Sequence, residues 1–485
     1  MKRRLSPLFA LTACLTITGC VVEPTNHANK NIVASPLPSA TASPSPAEEK
    51  AANAEPLTLP VLDAFFADES FSGSLKTRLQ LTDEQVTKLK ELAHSETAKL
   101  NEENAGKGEG ESSNARSVAA EKISALIGAE KTRQLAVLVG ERWGGTADEA
   151  DKTAAQPTNP NNREQVAGTP NTVPTDSRIV VNAPAYRMDV FDGGRLIKSY
   201  KIGIGYPQFP LPTGLRKARV IIFNPTWTPP DEPWVAKMKD ISVGEKVAAG
   251  SKLNPLGPIK IPIGGPSLIH GGKSPAKLGT FASHGCVGLT TPQVQDFAKV
   301  LAQLGGAHLT DADLTDYARD KTQTKQIKLD QPVPVELRYE TIVVEDGKLH
   351  IYRDVYDQET NTEENLRAVL EANGVRLDDL TEGERTQVFD ALAQMSGKSG
   401  AGSVRPTALS KESPSPVASP RSSSLVERKS SSGKKPTSVG KNQKEVVIEI
   451  AALKGKGYPS PVAFDTGSGK TRATLSSPPK RGKQP

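Results

Sequence analysis

Residues 267–272 read SLIHGG, and residues 282–289 read ASHGCVGL. The second segment carries Cys286, and two of the six histidines of the chain, His270 and His284, lie within the sixteen residues before it. At neutral pH a free cysteine is only a few per cent thiolate, and a neighbouring imidazole that takes the thiol proton leaves the stronger nucleophile. The two segments therefore predict acyl transfer by a cysteine–histidine pair.

Small residues surround this pair: Gly271, Gly272, Ser283 and Gly285. Residues without bulky side chains let a substrate backbone approach closely and let amide N–H groups point at one position. Donors at such a position stabilise an acyl-transfer oxyanion by roughly 3 kcal/mol each. We therefore expect an oxyanion pocket beside Cys286.

The sequence on either side of these segments has the pattern of short β-strands. Apolar and polar residues alternate over residues 186–190, residues 192–194 (DGG) form a turn, and residues 196–204 return as a second strand, which predicts a hairpin. One helix is expected, at residues 292–304. Many short strands with few helices predict a mainly-β sandwich or barrel-like domain over residues 178–357. The other expected β runs are residues 219–223, 267–270, 333–339 and 340–344.

This combined pattern resembles the YkuD-type L,D-transpeptidases of bacterial cell-wall synthesis. The family motif is His-Gly, a spacer, then Ser-His-Gly-Cys and an aliphatic residue; His270 with Gly271, and residues 283–287 (SHGCV), match it. The resemblance covers about residues 178–357 and implies both the fold and the activity. Further matches lie at residues 179–182 (IVVN) with Tyr186, 212–214 (PTG), 224–227 (NPTW) and 254–257 (NPLG).

The resemblance also implies roles for individual residues. Cys286 is expected to be the nucleophile and His270 the proton acceptor and donor, oriented by the backbone carbonyl of Gly271. The amide of Cys286 is expected to join the oxyanion pocket. The residues expected to form that pocket or to orient the pair are Gly271, Ser283, His284 and Gly285.

The implied substrates are peptidoglycan stem peptides, and the implied chemistry needs neither a metal nor an organic cofactor. Cys286 would attack a stem tetrapeptide, release D-Ala and pass the acyl group to an amine of a second stem. Water as acceptor would make the protein an L,D-carboxypeptidase, and a lipoprotein lysine would make it an anchoring enzyme. One position departs from the family, which usually has Arg or Asn two residues after the cysteine, where this chain has Gly288. That departure is expected to weaken donor-strand binding or loop order.

Simpler interpretations of the same residues stay open. Cysteine is among the most buried residue types, so Cys286 alone is compatible with a structural thiol, and His284 with a structural hydrogen-bonding role. His270, His284 and Cys286 are also acceptable zinc ligands, although the short SHGC turn suits a nucleophile on a loop. Three aromatic residues either line a substrate groove or pack in the core: Tyr206, Trp227 and Trp234.

The amino terminus predicts export and lipid anchoring. Three basic residues and a short apolar run precede residues 17–20 (ITGC), which resemble a bacterial lipobox. Residues 1–19 are thus a predicted signal peptide and Cys20 a predicted lipidation site, which places the protein in the cell envelope, on the periplasmic side of the outer membrane in a diderm host. Acyl chains contribute about 0.8 kcal/mol per buried CH₂. Cys286 is then the only free thiol of the exported protein.

Composition divides the rest of the 485-residue chain. Proline-, serine- and alanine-rich residues 20–56 and residues 147–177 are predicted linkers. Residues 57–146 are predicted to form an α-helical hairpin region, in which Thr82 and Gln85 form a capping box; a Leu-Thr-x-x-Gln motif there resembles Spy/CpxP-type periplasmic proteins. A short helical extension over residues 358–396, starting with a helix at 363–372, precedes a predicted disordered tail, residues 397–485.

The charge of the chain lies in this tail. Residues 397–485 hold 17 Lys and Arg against 5 Asp and Glu, a net charge of +12, whereas the whole chain carries +6. The folded part is therefore net acidic, and nothing indicates a nucleic-acid partner. The tail is a candidate for contacts with anionic wall polymer or lipid. Three cysteines exclude a disulfide scaffold. The alternative from another class is a non-catalytic envelope lipoprotein that binds the wall.

Overall fold

The computed structural model describes residues 57–100, 111–143, 169–230, 235, 238–396 and 443–468. The predicted signal peptide, the lipidation site at Cys20, the predicted linker at residues 20–56, residues 147–168 of the second predicted linker, Trp234 and most of the basic tail lie outside these ranges. Within the described ranges, no helix is long and apolar enough to cross a membrane.

A curled eight-stranded sheet spans residues 178–338, with strands numbered along the chain and lying in the order β3-β2-β1-β10-β5-β6-β7-β9. Most neighbours are antiparallel, but β1 pairs parallel with β10 and β7 pairs parallel with β9. A mainly-β fold is therefore confirmed. The strands are β1 (Arg178–Asn182), β2 (Arg187–Asp192), β3 (Arg195–Lys201), β5 (Gly214–Phe223), β6 (Ile259–Pro262), β7 (Leu268–His270), β9 (Val287–Gly288) and β10 (Lys325–Arg338). A separate parallel pair consists of β4 (Ile204–Gly205) and β8 (Phe281–Ser283).

Two helices lie between β9 and β10 in the chain. The first, Thr291–Leu304, starts one residue before the predicted helix; Thr290 caps it through a capping box, and its apolar face is buried in the core of the main sheet. The second, Asp311–Arg319, was not predicted, although Thr310 and Asp313 form the same capping device. They are named α6 and α7, because five helices of the described residues precede them.

The hairpin of β2 and β3 is confirmed, with its turn at Gly193 and Gly194, both at positive φ. The expected alternation of buried and exposed residues is wrong, however, because Arg187 and Asp189 of β2 are buried as well. A second sheet covers that face, and Arg187 pairs there with Asp189 and with Glu345. Both faces of β2 are therefore covered by protein.

That second sheet belongs to a C-terminal module and corrects two predicted boundaries. Its strands are β11 (Ile342–Glu345), β12 (Lys348–Tyr352) and β13 (Glu445–Glu449), packed against α8 (Glu363–Ala372) and α9 (Glu382–Met395). The prediction placed the first two strands in the catalytic domain and left β13 in a disordered tail. Ile448 of β13 and the residues Ile450 and Leu453 that follow it are buried in the core of this module, so this segment of the tail belongs to it. The chain beyond β13 then binds the free edge of β3, where Lys201 N–H donates to the carbonyl of Asp465 at 2.9 Å.

In its described residues, 57–100 and 111–143, the N-terminal region has five helices rather than the two of a hairpin, and they enclose a core of their own. The predicted capping box of Thr82 and Gln85 is present at the start of the third helix. These helices are α1 (Leu59–Phe66), α2 (Glu69–Arg78), α3 (Asp83–Thr97), α4 (Glu111–Ile127) and α5 (Ala129–Trp143).

Candidate active site

The parallel pair β7 and β9 brings the two predicted chemical groups to one face of the sheet. Ile269 is paired with Val287 and His270 with Gly288. Since side chains alternate along a strand, and Ile269 and Val287 both point into the core, His270 and Cys286 face the opposite side. Cys286 is the residue directly before β9, so it lies diagonally across from His270.

Glycine makes the backbone beside His270 unusually close. A Cβ atom on Gly257, which has φ +64°, would lie 2.5 Å from the amide nitrogen of Gly272 and 2.7 Å from the carbonyl carbon of Gly271. The NPLG segment at residues 254–257 thus packs directly against the backbone of the loop that follows His270. Asn254 closes this segment by accepting from Leu256 N–H at 3.0 Å and donating to the carbonyl of Pro225 at 2.7 Å.

His270 is 4% exposed, and its Nδ1 lies 2.8 Å from the carbonyl oxygen of Gly271. A proton on Nδ1 donates to that carbonyl, which is the orientation that the resemblance implied, and leaves Nε2 as a proton acceptor. Burial, reinforced by the positive charge of Lys273, lowers the pKa of His270 to about 3. At neutral pH the ring is therefore uncharged.

Cys286 is a half-buried free thiol whose sulfur is not sealed in the core, because the residue lines a cavity. Burial raises the pKa of the Cys286 thiol, against smaller lowering effects of the Leu268 backbone and of Lys273. A preformed thiolate–imidazolium pair is thus disfavoured, contrary to the simple expectation that the imidazole ionises the sulfur at rest. Its main-chain N–H donates to Ser283 Oγ at 3.0 Å, so this amide is already engaged rather than directed at an oxyanion pocket.

His284 and Gly285 complete the SHGC turn. Gly285 has φ +89°, a conformation that favours glycine, and its carbonyl accepts from Ser267 Oγ at 3.1 Å. The ring of His284 contacts Tyr206 and Phe209 edge-on, with ring centroids 5.2 and 4.8 Å apart. Burial, followed by the charge of Lys273, lowers the pKa of His284 to about 3. These contacts favour a structural role for His284.

A cavity of about 870 Å³ opens over this face and is lined by His270, Ser283, His284 and Cys286. Tyr206 and Trp227 line it while remaining mostly buried, so each combines the two roles that were left open for it. Within the described ranges, no cluster of three or more His, Cys, Asp or Glu side chains is placed to hold a metal ion.

The sequence did not reveal that the helical region forms part of this cavity. Ala64, Ala67 and Leu100 contribute to its lining. The region is fixed to the turn at residues 205–209 (GYPQF), which in turn contacts His284. Two buried hydroxyls make the link: Thr58 donates to the carbonyl of Gln208, and Ser112 to that of Pro207, each at 2.6 Å.

Comparison with known proteins gives one family. Residues 176–331 match the family model of the L,D-transpeptidase catalytic domain, YkuD. No curated protein matches the chain, and the Spy/CpxP-type resemblance of the helical region is not confirmed.

Solved L,D-transpeptidases are similar over about one third of the chain. The catalytic domain of the E. faecium enzyme is 14% identical, and the match covers 34% of this chain and 100% of that one with a TM-score of 0.22. The longer Enterococcus faecium chain is 13% identical over 34% of this chain and 50% of its own, with a TM-score of 0.21, so this chain spans about half of its length. An L,D-transpeptidase from Mycobacterium smegmatis is 14% identical over 34% and 58%, with a TM-score of 0.19.

Proposed function

We propose that this protein is a cysteine-dependent peptidoglycan L,D-transpeptidase of the cell envelope. The observation that carries the proposal is the register of β7 and β9, which sets His270 and Cys286 on one face above a shared cavity. The family match of residues 176–331 supplies the reaction class. The substrate class, the nucleophile and the acceptor are parts of the proposal.

In the first half-reaction, Sγ of Cys286 attacks the carbonyl carbon at the L-centre of the third residue in a stem tetrapeptide. The thiol proton passes to Nε2 of His270, and a tetrahedral oxyanion forms. When the oxyanion collapses, the C–N bond to D-Ala breaks and His270 returns the proton to the leaving amine. The product is a thioester on Cys286 and free D-Ala.

The charge state of the pair fixes the timing of the proton transfer. Both groups are neutral at rest, because burial raises the pKa of Cys286 and lowers that of His270. Proton transfer to His270 therefore accompanies attack on the carbonyl instead of preceding it. The Gly271 carbonyl, 2.8 Å from Nδ1, stabilises the positive ring that forms for a moment.

In the second half-reaction, an amine of a second stem peptide attacks the thioester and His270 accepts its proton, which gives a 3→3 cross-link. Water as acceptor would give a tripeptide, and a lipoprotein lysine would give an anchored lipoprotein. Muropeptide analysis after incubation with tetrapeptide-rich sacculi distinguishes the three, because only the first outcome yields dimers linked between two third residues.

Intact-mass measurement after incubation with a carbapenem tests the nucleophile. The β-lactam carbonyl accepts the Cys286 thiol as the ring C–N bond opens, so the expected result is one adduct of full carbapenem mass per chain. Cys286→Ala should form none, and His270→Gln should form it far more slowly. A parent protein that folds but forms no adduct contradicts the proposal and favours a wall-binding lipoprotein.

Export and anchoring through Cys20 are part of the proposal and need their own test. Labelling with a fatty-acid analogue should mark the parent and not Cys20→Ser. The proposed contacts of the basic tail with anionic wall polymer should be tested by replacing lysines and arginines outside residues 443–468. Deleting all of residues 397–485 would also remove β13 and so disrupt the C-terminal module.

A further inference from the structure

Lys273 lies where a side chain at position 288 would project. Gly288 faces the same side of the sheet as Cys286, two residues along the strand. A Cβ atom built on Gly288 would lie 2.8 Å from Cγ and 3.0 Å from Cε of Lys273. Because residue 288 is glycine, the aliphatic stem of Lys273 occupies the space where a side chain at that position would lie.

The backbone fixes Lys273 in this place. Leu289 N–H donates to the carbonyl of His270 at 2.9 Å, and Lys273 N–H donates to the carbonyl of Leu289 at 3.0 Å. These bonds continue the pairing of β7 and β9 past the end of both strands. Lys273 is thus held three residues after His270, against the strand that follows Cys286.

The charge of Lys273 acts on all three groups of the site. It adds to the lowering of the pKa of His270 and of His284 by burial. For Cys286 it opposes the larger effect of burial, which raises the pKa of the thiol. Lys260 and Lys273 both line the cavity, and none of its described lining residues is an aspartate or a glutamate. Among the described lining residues, the two that carry a charge at neutral pH are therefore both cations.

We propose that Lys273 binds the carboxylate of the donor peptide that lies next to the scissile bond. This assignment rests on the proposed function, because the donor there is a tetrapeptide whose leaving D-Ala carries a free carboxylate. That carboxylate is bonded to the Cα atom next to the scissile nitrogen, so it reaches the surroundings of Cys286 and His270 together with the reacting carbonyl. An ammonium group on a flexible stem suits such a ligand, since it acts as a point charge and does not need the planar geometry of a guanidinium.

Two alkylating reagents of nearly equal size, one charged and one neutral, test this assignment without any transpeptidase substrate. Iodoacetate is an anion and iodoacetamide is neutral, and with either one Sγ forms a C–S bond while iodide leaves. The rates are measured by mass spectrometry on the tryptic peptide that contains Cys286, with glutathione as the reference thiol. In the parent protein, the ratio of the iodoacetate rate to the iodoacetamide rate should exceed that of glutathione.

The variants Lys273→Met, Lys273→Arg and Lys260→Met form the matched set. Lys273→Met keeps an unbranched stem against Gly288 and should lower the rate ratio about fivefold. This factor is smaller than the roughly 10- to 1,000-fold rate enhancement of clefts lined by many charges of one sign. Lys273→Arg should keep the ratio, and Lys260→Met should change it much less. Added salt should reduce the ratio in the parent and leave it nearly constant in Lys273→Met.

A second readout uses the donor itself. Amidation of the terminal carboxylate should raise the KM of the parent about tenfold with a smaller effect on kcat, the mark of a lost binding contact. In Lys273→Met the free and amidated donors should have nearly the same KM.

The outcomes separate this inference from the proposed function. A carbapenem adduct on the parent, together with an unchanged rate ratio in a folded Lys273→Met, overturns the role of Lys273 and leaves the transpeptidase intact. An equal fall in Lys260→Met also overturns it, because the positive charge would then belong to the cavity as a whole. A ratio that depends on Lys273 in a protein that forms no carbapenem adduct would overturn the proposed function and keep the anion site.

Discussion

Ser283 and Cys286 hold each other through two hydrogen bonds across one turn. Ser283 Oγ donates to the carbonyl of Cys286 at 2.6 Å and accepts from the N–H of the same residue at 3.0 Å. Together with Gly285 at positive φ, this pair sets the direction in which the Cys286 side chain leaves the backbone. The serine of the SHGC motif therefore positions the proposed nucleophile, the Cys286 thiol.

Replacement of this hydroxyl should slow acylation while the fold persists. Ser283→Ala removes both hydrogen bonds, and we expect the rate of carbapenem acylation to fall between about 10- and 100-fold, because small displacements of a nucleophile carry penalties of that size. Ser283→Thr keeps the hydroxyl and is the matched control. Stopped-flow or mass-resolved acylation kinetics measure the effect, and equal rates in the parent and Ser283→Ala would show that the turn needs no side-chain support.

The acylation rate should not show the fall at about pH 6.5 that protonation of an ordinary histidine causes. In the proposed reaction an uncharged His270 accepts the thiol proton, and with its pKa lowered to about 3 the ring stays uncharged down to about pH 3. The rate should therefore change little as the pH falls from 8 to 5, where an ordinary histidine of pKa about 6.5 would lose most of its activity. Second-order acylation rates with a carbapenem at constant ionic strength test this expectation.

Alkylation by iodoacetamide should report the other half of the pair, since it follows the thiolate alone. Burial raises the pKa of Cys286, so the alkylation rate should still be rising where that of a free thiol of pKa about 8.5 has levelled off. Unfolding in denaturant should bring the midpoint of the Cys286 curve down to that of the free thiol. A midpoint below 7 in the folded protein would indicate a preformed thiolate–imidazolium pair instead.

The C-terminal strand β13 should contribute strongly to stability. Ile448 is 4% exposed and is paired with Leu349 across the second sheet, whereas its neighbour Val447 is 47% exposed. Truncation of a buried isoleucine costs about 2–5 kcal/mol, so Ile448→Ala should lower the free energy of unfolding by an amount in that range. Val447→Ala should change it by less than about 0.5 kcal/mol. Denaturant titration of the two variants compares them directly, and equal small effects would mean that β13 is dispensable.

The catalytic region was more predictable from the sequence than its surroundings, for a physical reason. Local signals decided what was correct, such as the turn of Gly193 and Gly194 and the cap at Thr290. Burial of Arg187 could not be predicted from its own strand, because the partner that covers it, Glu345, lies 158 residues away. The prediction for the segment of β13 was wrong for the same reason, because a short apolar run in a basic, serine-rich tail does not reveal which sheet it joins.

In the candidate site as well, the local motif predicted some features, whereas others depend on contacts that only the folded chain makes. The motif predicted His270 and Cys286 as the reacting pair, and the fold places both on one face beside the cavity. The contact of Nδ1 with the Gly271 carbonyl is the one that the resemblance implied. Lys273 escaped notice because a lysine after two glycines has no pattern of its own, and only the fold shows it against Gly288. The engagement of the Cys286 amide by Ser283 was likewise a property of the folded turn.

Loosening the contact between the helical region and the segment that joins β12 to α8 should slow the reaction at Cys286. Arg116 donates to the carbonyls of Tyr356 and Asp357 at 2.9 and 2.7 Å. Tyr356 in turn donates through its hydroxyl to the carbonyl of Gly205, in the turn that contacts His284. Arg116→Ala should lower the free energy of unfolding by about 1–3 kcal/mol and slow carbapenem acylation severalfold.

The control for Arg116 is Arg133→Ala, which removes a helix-surface ion pair of a side chain 48% exposed. Exposed pairs of this kind contribute about 0–1 kcal/mol, so both stability and acylation should stay close to those of the parent. Thermal unfolding and acylation rates of the two variants are compared. An Arg116→Ala protein that is destabilised yet acylates at the parental rate would separate the helical region from the function of the site.

Gly288 and Lys273 should behave as a coupled pair in a double-mutant cycle. Gly288→Asn on its own introduces a Cβ atom 2.8 Å from Cγ of Lys273, so the lysine must leave its position and acylation should slow about tenfold. Lys273→Ala on its own removes the charge and leaves the space empty. The double variant restores a polar side chain at position 288 without the clash, and it should acylate faster than Gly288→Asn. The coupling expected for residues in contact is about 0.5–3 kcal/mol, and strictly additive effects on the acylation rate would mean that the two side-chain positions do not share one space.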